Sequence, residues 1–152
     1  MFRNKSNDQT NTFHIAYVST ATVSLEHNEL KAIERISQIN NHKFGITGIF
    51  AYGNGKLMQY LEGSEFNVRR LMSVIAMDAR HHSVDILRNE FIPMQQFINW
   101  HMRLTHLNEI QADKGIIHDK LFNIKTNNML NNEYAVETKT MLLAFKRSSL
   151  NM

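Results

Sequence analysis

The order of elements along the chain predicts an α+β fold, a ferredoxin-like β-α-β-β-α-β-β sheet. Three observations lead to this prediction: strand-like alternation near the start, two apolar helical stripes that each follow a strand, and a Gly/Asn turn between two strand-like runs. Both helices are expected on one face of the sheet, with C-terminal helices on the other. The 152 residues, 43% of them hydrophobic, suffice for one domain with a modest extension.

The first elements follow from polarity and period. Residues 1–12 are polar and are predicted to form a flexible leader. Residues 13–19 have the period-2 pattern of a strand. From 26 to 40 apolar residues recur at helical spacing, and the cluster Asn40-Asn41-His42 is expected to end this helix, because Asn tolerates left-handed geometry.

A hairpin comes next. The strand-like runs 46–52 and 56–62 are joined by Gly53-Asn54-Gly55, a connection typical of hairpins. A second helix is predicted over 64–77, with Ser64 as its N-cap. Two further strands are predicted on either side of a loop at Pro93, over 84–91 and 97–104.

The remainder is predicted to be helical. Residues 111–123 are weakly helical, and 133–146 carry an apolar stripe that includes Leu142 and Phe145. An Asn-rich connection separates the two segments. Because the second face of the sheet needs a cover, we expect these C-terminal helices to pack against it.

Composition excludes several classes of site. There is no cysteine, so disulfides, thiolate nucleophiles and Cys-ligated metals are absent. The eight His are scattered, with no recognisable metal set, and no paired carboxylates or phosphate-binding Gly loop announce catalysis. A net charge of +3 is mildly basic. No apolar run is long enough for a membrane span, and no signal peptide is evident, so we expect a cytoplasmic protein.

Four neutral polar residues lie on elements that are otherwise apolar: Tyr17, Asn40, Asn41 and Gln59. An amide can donate to a carbonyl and accept from a ring N–H at the same time, so this set suits a planar heteroaromatic ligand with an imide-like edge. Taken singly, each residue also has a structural interpretation. Tyr17 could be a core tyrosine, Asn40 a helix cap and Gln59 a solvated strand position.

The chain from 13 to 104 resembles the BLUF family, the flavin-binding sensors of blue light. Five ordered segments carry the resemblance: Tyr17-Val18-Ser19, Asn40-Asn41 with Gly45 to Ile49, Met58 to Gly63, Asp78 to His82, and Phe97 to Met102. They span about three-fifths of the chain. The resemblance implies a flavin-binding domain over 13–104, with 105–152 as a C-terminal helical extension.

For the site, the resemblance implies a flavin, usually FAD, between the two helices. Ile33 and Ile75 would contact the two faces of its ring, and Asn40 with Asn41 would bind its pyrimidine edge. Tyr17 and Gln59 are similar to the family's photoactive pair. In that family, light causes an electron and a proton to leave the tyrosine transiently, the glutamine's hydrogen bonds rearrange, and the flavin returns to its oxidised state.

The resemblance extends to three more residues. Trp100 and Met102, two apart on the predicted fifth strand, would share a face in or near the pocket and help to pass the signal on. Arg80 is similar to an arginine near the flavin. Alternatively, Trp100 fills the core, inside or outside the pocket, and Arg80 is a surface residue. Val74 replaces a basic residue of several members, which leaves FMN or riboflavin open beside FAD.

The expected function is that of a short, single-domain blue-light receptor, not an enzyme. It would signal through the fifth strand and C-terminal helices to an unidentified signalling protein, such as a transcriptional regulator, and would form a homo-oligomer. Membranes are not expected partners. Two alternatives remain: a single-stranded RNA-binding module, which would need a basic and aromatic pattern absent from 56–60, and a flavin-dependent redox protein.

Overall fold

A computed structural model describes residues 12–97, 101–107 and 133–150. In chain order these residues form strands β1 (Thr12–Ala21), β2 (Thr47–Gly53), β3 (Lys56–Gly63), β4 (His81–Ile92) and β5 (Arg103–His106), with helices α1 (His27–Lys43), α2 (Glu65–Ala76) and α3 (Glu133–Ser149). Helix α1 follows β1, and helix α2 follows β3. The predicted β-α-β-β-α-β-β order and the final helix are therefore confirmed.

The five strands form one mixed sheet in the order β4-β1-β3-β2-β5. The three pairs β1–β4, β1–β3 and β2–β3 are antiparallel, and β5 lies parallel to β2. The hairpin between β2 and β3 turns through Asn54 and Gly55, both at positive φ, as predicted for this Gly/Asn connection. The register sets Tyr17 directly beside Gln59 across β1 and β3.

Apolar side chains cover both faces of the sheet. On the inner face, residues such as Leu30 of α1 and Val68 of α2 pack with side chains of β1, β2 and β3. On the outer face, Leu142 and Phe145 of α3 pack with Tyr60 and Phe97. Of the C-terminal helices expected on the second face, α3 is described and covers it, and these two aromatic side chains are buried beneath it.

Helix α1 continues past the cluster that was expected to end it. Asn40, Asn41 and His42 all lie within its last turn, and the helix ends at Lys43. The backbone carbonyl of Asn41 accepts hydrogen bonds from the N–H groups of Phe44 and Ile46. The positive φ at the glycine that follows Phe44, 65°, provides the left-handed residue that the asparagines were expected to supply.

The fifth strand is much shorter than predicted. It begins at Arg103 rather than at Phe97. The N–H groups of Gln96 and Phe97 donate to the buried carboxylate of Glu62 instead of to a neighbouring strand. Met102 consequently precedes the strand, so the prediction that Trp100 and Met102 lie together on one strand is wrong for Met102.

Several predictions fall on other parts of the chain. Trp100, the leader up to residue 11 and the helix predicted over 111–123 lie outside the described residues.

The N-cap prediction is confirmed, since the Ser64 hydroxyl accepts from the N–H of Asn67. No helix in the described ranges has both the length and the apolar character that crossing a membrane requires.

Candidate functional site

A cavity of about 120 Å³ lies between helices α1 and α2 and the inner face of the sheet. Apolar side chains from both helices form much of its wall, with Ile33 on α1 and Leu71 and Ile75 on α2. Phe50 and Leu57 contribute from β2 and β3. Three hydrogen-bonding side chains of the described wall are both uncharged and buried, at most 6% exposed: those of Tyr17, Gln59 and Asn41.

A hydrogen-bond chain runs through this wall. The hydroxyl of Tyr17 donates to Oε1 of Gln59 over 2.5 Å, and Nε2 of Gln59 donates to the sulfur of Met102 over 3.3 Å. The first contact follows from the strand register, because the two residues are direct neighbours on β1 and β3. The second joins β3 to the segment that precedes β5.

The environment keeps Tyr17 protonated. Burial raises the pKa of its hydroxyl, and the nearby negative charge of Asp78 raises it further. A protonated phenol is a hydrogen-bond donor, which matches the carbonyl oxygen of Gln59 as its acceptor. The proton of this bond therefore belongs to Tyr17 in the resting protein.

Helix α1 brings Asn41 to the cavity but not Asn40. Asn41 is 3% exposed, lines the cavity and donates from Nδ2 to the backbone carbonyl of His101 over 2.7 Å. Asn40 is exposed and is not part of the wall. Consecutive residues of an α-helix point about 100° apart, so the two amides cannot share one edge of the cavity. The expected pairing of both at that edge is not seen.

Two oppositely charged side chains lie at the wall beyond α2. Arg80 donates from Nη2 to Oδ2 of Asp78 over 2.5 Å. The hydrogen bonds from Arg80 lower the pKa of the Asp78 carboxyl to about 2. Arg80 thus lines the cavity, as expected, with its charge already paired to Asp78.

The sequence alone did not identify His81 as a wall residue. Its Nε2 donates to the backbone carbonyl of Ile75 over 2.6 Å, since a carbonyl can only accept, and its Nδ1 bonds the Ser19 hydroxyl over 2.8 Å. Its ring meets that of Tyr17 edge-on, with centroids 6.1 Å apart. His81 and His82 are adjacent in the sequence, which gives no sign of the two hydrogen-bond partners that orient the His81 ring.

Ser37 is a second wall residue that was missed. It lies four residues after Ile33 and four before Asn41, so all three share one face of α1. That spacing was the available signal. Of the nine residues expected at the site, seven line the cavity: Tyr17, Ile33, Asn41, Gln59, Ile75, Arg80 and Met102.

Comparison with models of protein families identifies the family to which a chain with this cavity belongs. Residues 12–103 match the family model described as BLUF, sensors of blue light using FAD. The match covers more than half of the chain. The chain belongs to the BLUF family. Its cofactor is accordingly a flavin, and the resemblance in the sequence is confirmed.

Relatives of known identity agree with this assignment. The BLUF chain is 29% identical over 107 residues to the photoactivated adenylate cyclase subunit beta of Euglena gracilis, a match over 69% of this chain and 12% of that protein. A bacterial light-regulated adenylyl cyclase superposes with a TM-score of 0.65 at 27% identity, covering 90% of this chain and 34% of the other. The chain thus spans only a small part of these cyclases.

A structure of similar size shares the fold. The BLUF domain of BlrP1 superposes with a TM-score of 0.69 at 23% identity, covering 88% of this chain and 90% of that one. The ferredoxin-like BLUF fold is therefore confirmed.

Proposed function

We propose that this chain is a blue-light receptor in which Tyr17, Gln59 and Met102 sense the state of a flavin bound between α1 and α2. The observation that carries the proposal is the continuous hydrogen-bond chain from the Tyr17 hydroxyl through the Gln59 amide to the Met102 sulfur. These hydrogen-bonded side chains line a cavity whose other walls are largely apolar.

The walls of the cavity fit a flavin ring. Ile33 from α1 and Ile75 from α2 offer aliphatic contacts from two different helices, which suits the two flat faces of an aromatic system. Asn41 and Gln59 bring amide groups, which can both donate and accept toward an imide edge. We therefore assign Ile33, Ile75, Asn41 and Gln59 to ring binding. No comparable role follows for Asn40, because it lies outside the wall.

A bound flavin would supply absorption of blue light and, once excited, an acceptor for one electron. Tyr17 is suited to be the donor, because its phenol can lose an electron while its proton moves to a bonded acceptor. Oε1 of Gln59, at 2.5 Å, is in position to receive that proton. Tyr17 would regain both the electron and its proton, and the lasting change would lie in the hydrogen bonds of the Gln59 amide.

A rearranged Gln59 cannot keep both of its present partners. Turning the amide over would aim Nε2 at the Tyr17 oxygen and Oε1 at the Met102 sulfur. A thioether has no hydrogen to donate, so the contact between Gln59 and Met102 would be lost. The side chain of Met102 would then lose its hydrogen bond to the photoactive amide.

Arg80 is a candidate for the region beyond the ring. The guanidinium of Arg80 would suit the phosphates of FAD. Its ion pair with Asp78 would have to break before it could bind them. FMN and riboflavin share the ring and so would use the same Tyr17, Gln59 and Asn41 contacts. We assign FAD as the cofactor that the family description names.

The output is assigned to the segment before β5 and to α3. Met102 touches the photoactive amide, and α3 covers the outer face of the same sheet. We propose that light alters a contact with a separate signalling protein, rather than a catalytic site. The adenylate cyclase activity of the relatives belongs to those proteins.

Two substitutions test the assigned roles. Tyr17→Phe and Gln59→Leu should leave the purified protein yellow and flavin-loaded, because both side chains keep most of their volume. Both should abolish the light-induced red shift of the flavin absorption, because each removes the hydrogen bond between Tyr17 and Gln59. Tyr60→Phe is the matched control, since Tyr60 is equally buried but faces α3. A normal red shift in either test variant would refute the assignment.

A further inference from the structure

Glu62, at the end of β3, holds the segment between β4 and β5 in place. Its side chain is 1% exposed. Oε1 accepts from the N–H of Gln96 over 2.8 Å, and Oε2 accepts from the N–H of Phe97 and the hydroxyl of Thr47, both over 2.7 Å. Backbone donors at two consecutive residues are thus fixed to one buried carboxyl group. Residues 96 and 97 cannot shift without breaking these bonds.

The same segment holds helix α3. The Thr138 hydroxyl donates to Oε1 of Gln96 over 2.9 Å, and both side chains are at most 2% exposed. Beside them, Phe97 packs against Leu142 and Phe145 of α3 in the outer core. Gln96 is therefore bonded through its backbone to the sheet and through its side chain to the C-terminal helix.

A few residues later, the chain reaches the cavity wall. The backbone carbonyl of His101 accepts from Asn41, and that of Met102 accepts from Gln38 over 2.9 Å, so both are fixed to α1. The sulfur of Met102 accepts from Gln59. The described ends of this stretch, 95–97 and 101–104, thus touch α3 at one end and the photoactive amide at the other.

The contact between Gln96 and α3 is incompletely satisfied. Nε2 of Gln96 is buried and has no hydrogen-bond partner among the described residues. A buried amide donor without an acceptor weakens the arrangement that contains it. A rotation of the Gln96 side chain, with its backbone still fixed to Glu62, could therefore exchange the partners of its amide at low net cost, as a two-state element requires.

We infer that Gln96 is the positioning residue that couples the flavin cavity to helix α3 through its hydrogen bond with Thr138. The inference rests on the proposed function. Gln59 lies three residues before Glu62 on β3, and Glu62 holds the backbone of Gln96. When Gln59 rearranges and loses Met102, the side chain of Gln96 rotates about this fixed backbone, and its bond to Thr138 changes. Helix α3 then loosens or moves on the outer face, where a protein partner can detect it.

Hydrogen exchange measured by mass spectrometry on the flavin-loaded full chain, in the dark and under blue light, tests this coupling. In the wild type, the exchange rate of residues 133–149 should change on illumination. Gln96→Met removes the acceptor for Thr138 while keeping side-chain length and both backbone bonds to Glu62. It should retain the red shift but reduce the light-induced change in α3 by about fivefold, the factor that one net hydrogen bond corresponds to.

A second variant and a control keep the test decisive. Thr138→Val, which removes the donor, should reproduce the result of Gln96→Met. Asn54→Gly should retain the full light-induced change, although it deletes the amide that donates to the backbone carbonyl of Ser149 on the same helix. A full change in α3 in Gln96→Met or Thr138→Val would overturn the inference, as would a wild type with a red shift and no change in α3. A wild type without a red shift contradicts the proposed function itself.

Discussion

Gln59 has one acceptor and one donor end, and the protein gives each end a different partner. The tyrosine hydroxyl can serve as donor or acceptor, whereas the thioether of Met102 can only accept. This asymmetry makes the two orientations of the amide inequivalent. A residue with two identical ends, such as a carboxylate, could not report a change by turning over.

The buried carboxyl of Glu62 should make the free energy of unfolding depend on pH. Burial raises the pKa of its carboxyl from 4.5 to about 7, although three hydrogen-bond donors oppose the shift. The folded state then binds a proton more tightly than the unfolded state. Its contribution to stability is full below pH 4.5 and is lost as the pH rises to about 7, a fall of at most ~3 kcal/mol in the free energy of unfolding.

Urea unfolding of the wild type and of Glu62→Gln from pH 4.5 to 7.5 isolates this effect. The glutamine does not titrate, and its single oxygen can accept from only one of the two backbone N–H groups that bond the two carboxyl oxygens of Glu62, so the comparison uses the pH dependence of stability and not its absolute value. We expect the stability of the wild type relative to the variant to decrease as the pH rises. A constant difference across this range would show that Glu62 does not titrate there. His14, whose pKa burial lowers, acts in both proteins and cancels.

At the scale of elements, the strands, turns and helices that depend on residues close in sequence were predictable. The alternation in β1, the Gly/Asn hairpin and the capped helix α2 each depend on residues close in sequence. The start of β5 was not predictable in this way. It depends on Glu62, a residue 34 positions before Gln96 that withdraws backbone donors from any strand. The sequence of residues 97–102 gives no sign of hydrogen bonds to a carboxyl group so far away in the chain.

The docking of α3 supports a prediction about stability. Leu142 is fully buried against the outer face of the sheet. Leu142→Ala should lower the free energy of unfolding by about 3 kcal/mol, because it removes buried methyl groups and leaves a cavity. Arg147→Ala, on the exposed side of the same helix, should change it by less than ~0.5 kcal/mol. Equal stability of the Leu142→Ala variant and the wild type in urea unfolding would contradict docking.

At the scale of the molecule, a single sheet separates the flavin cavity from α3. Successive residues of a strand point to opposite faces, so Gln59 reaches the cavity while Tyr60 reaches the helix. Strand and helix periods predicted this layering, because they assign residues to faces, and the residues with the family resemblance supplied seven of the sixteen described residues of the cavity wall. The sequence could not separate Asn40 from Asn41, since that choice depends on where helix α1 ends.

The most direct test of the whole account is the visible absorption spectrum of the purified chain in the dark, during blue illumination and through recovery. We predict a flavin spectrum that shifts slightly to the red without bleaching and then returns. A flavin spectrum that does not respond to light would contradict the sensing role of Tyr17 and Gln59. Protein that stays colourless after flavin is added would contradict the cavity assignment and make RNA binding the next hypothesis to test.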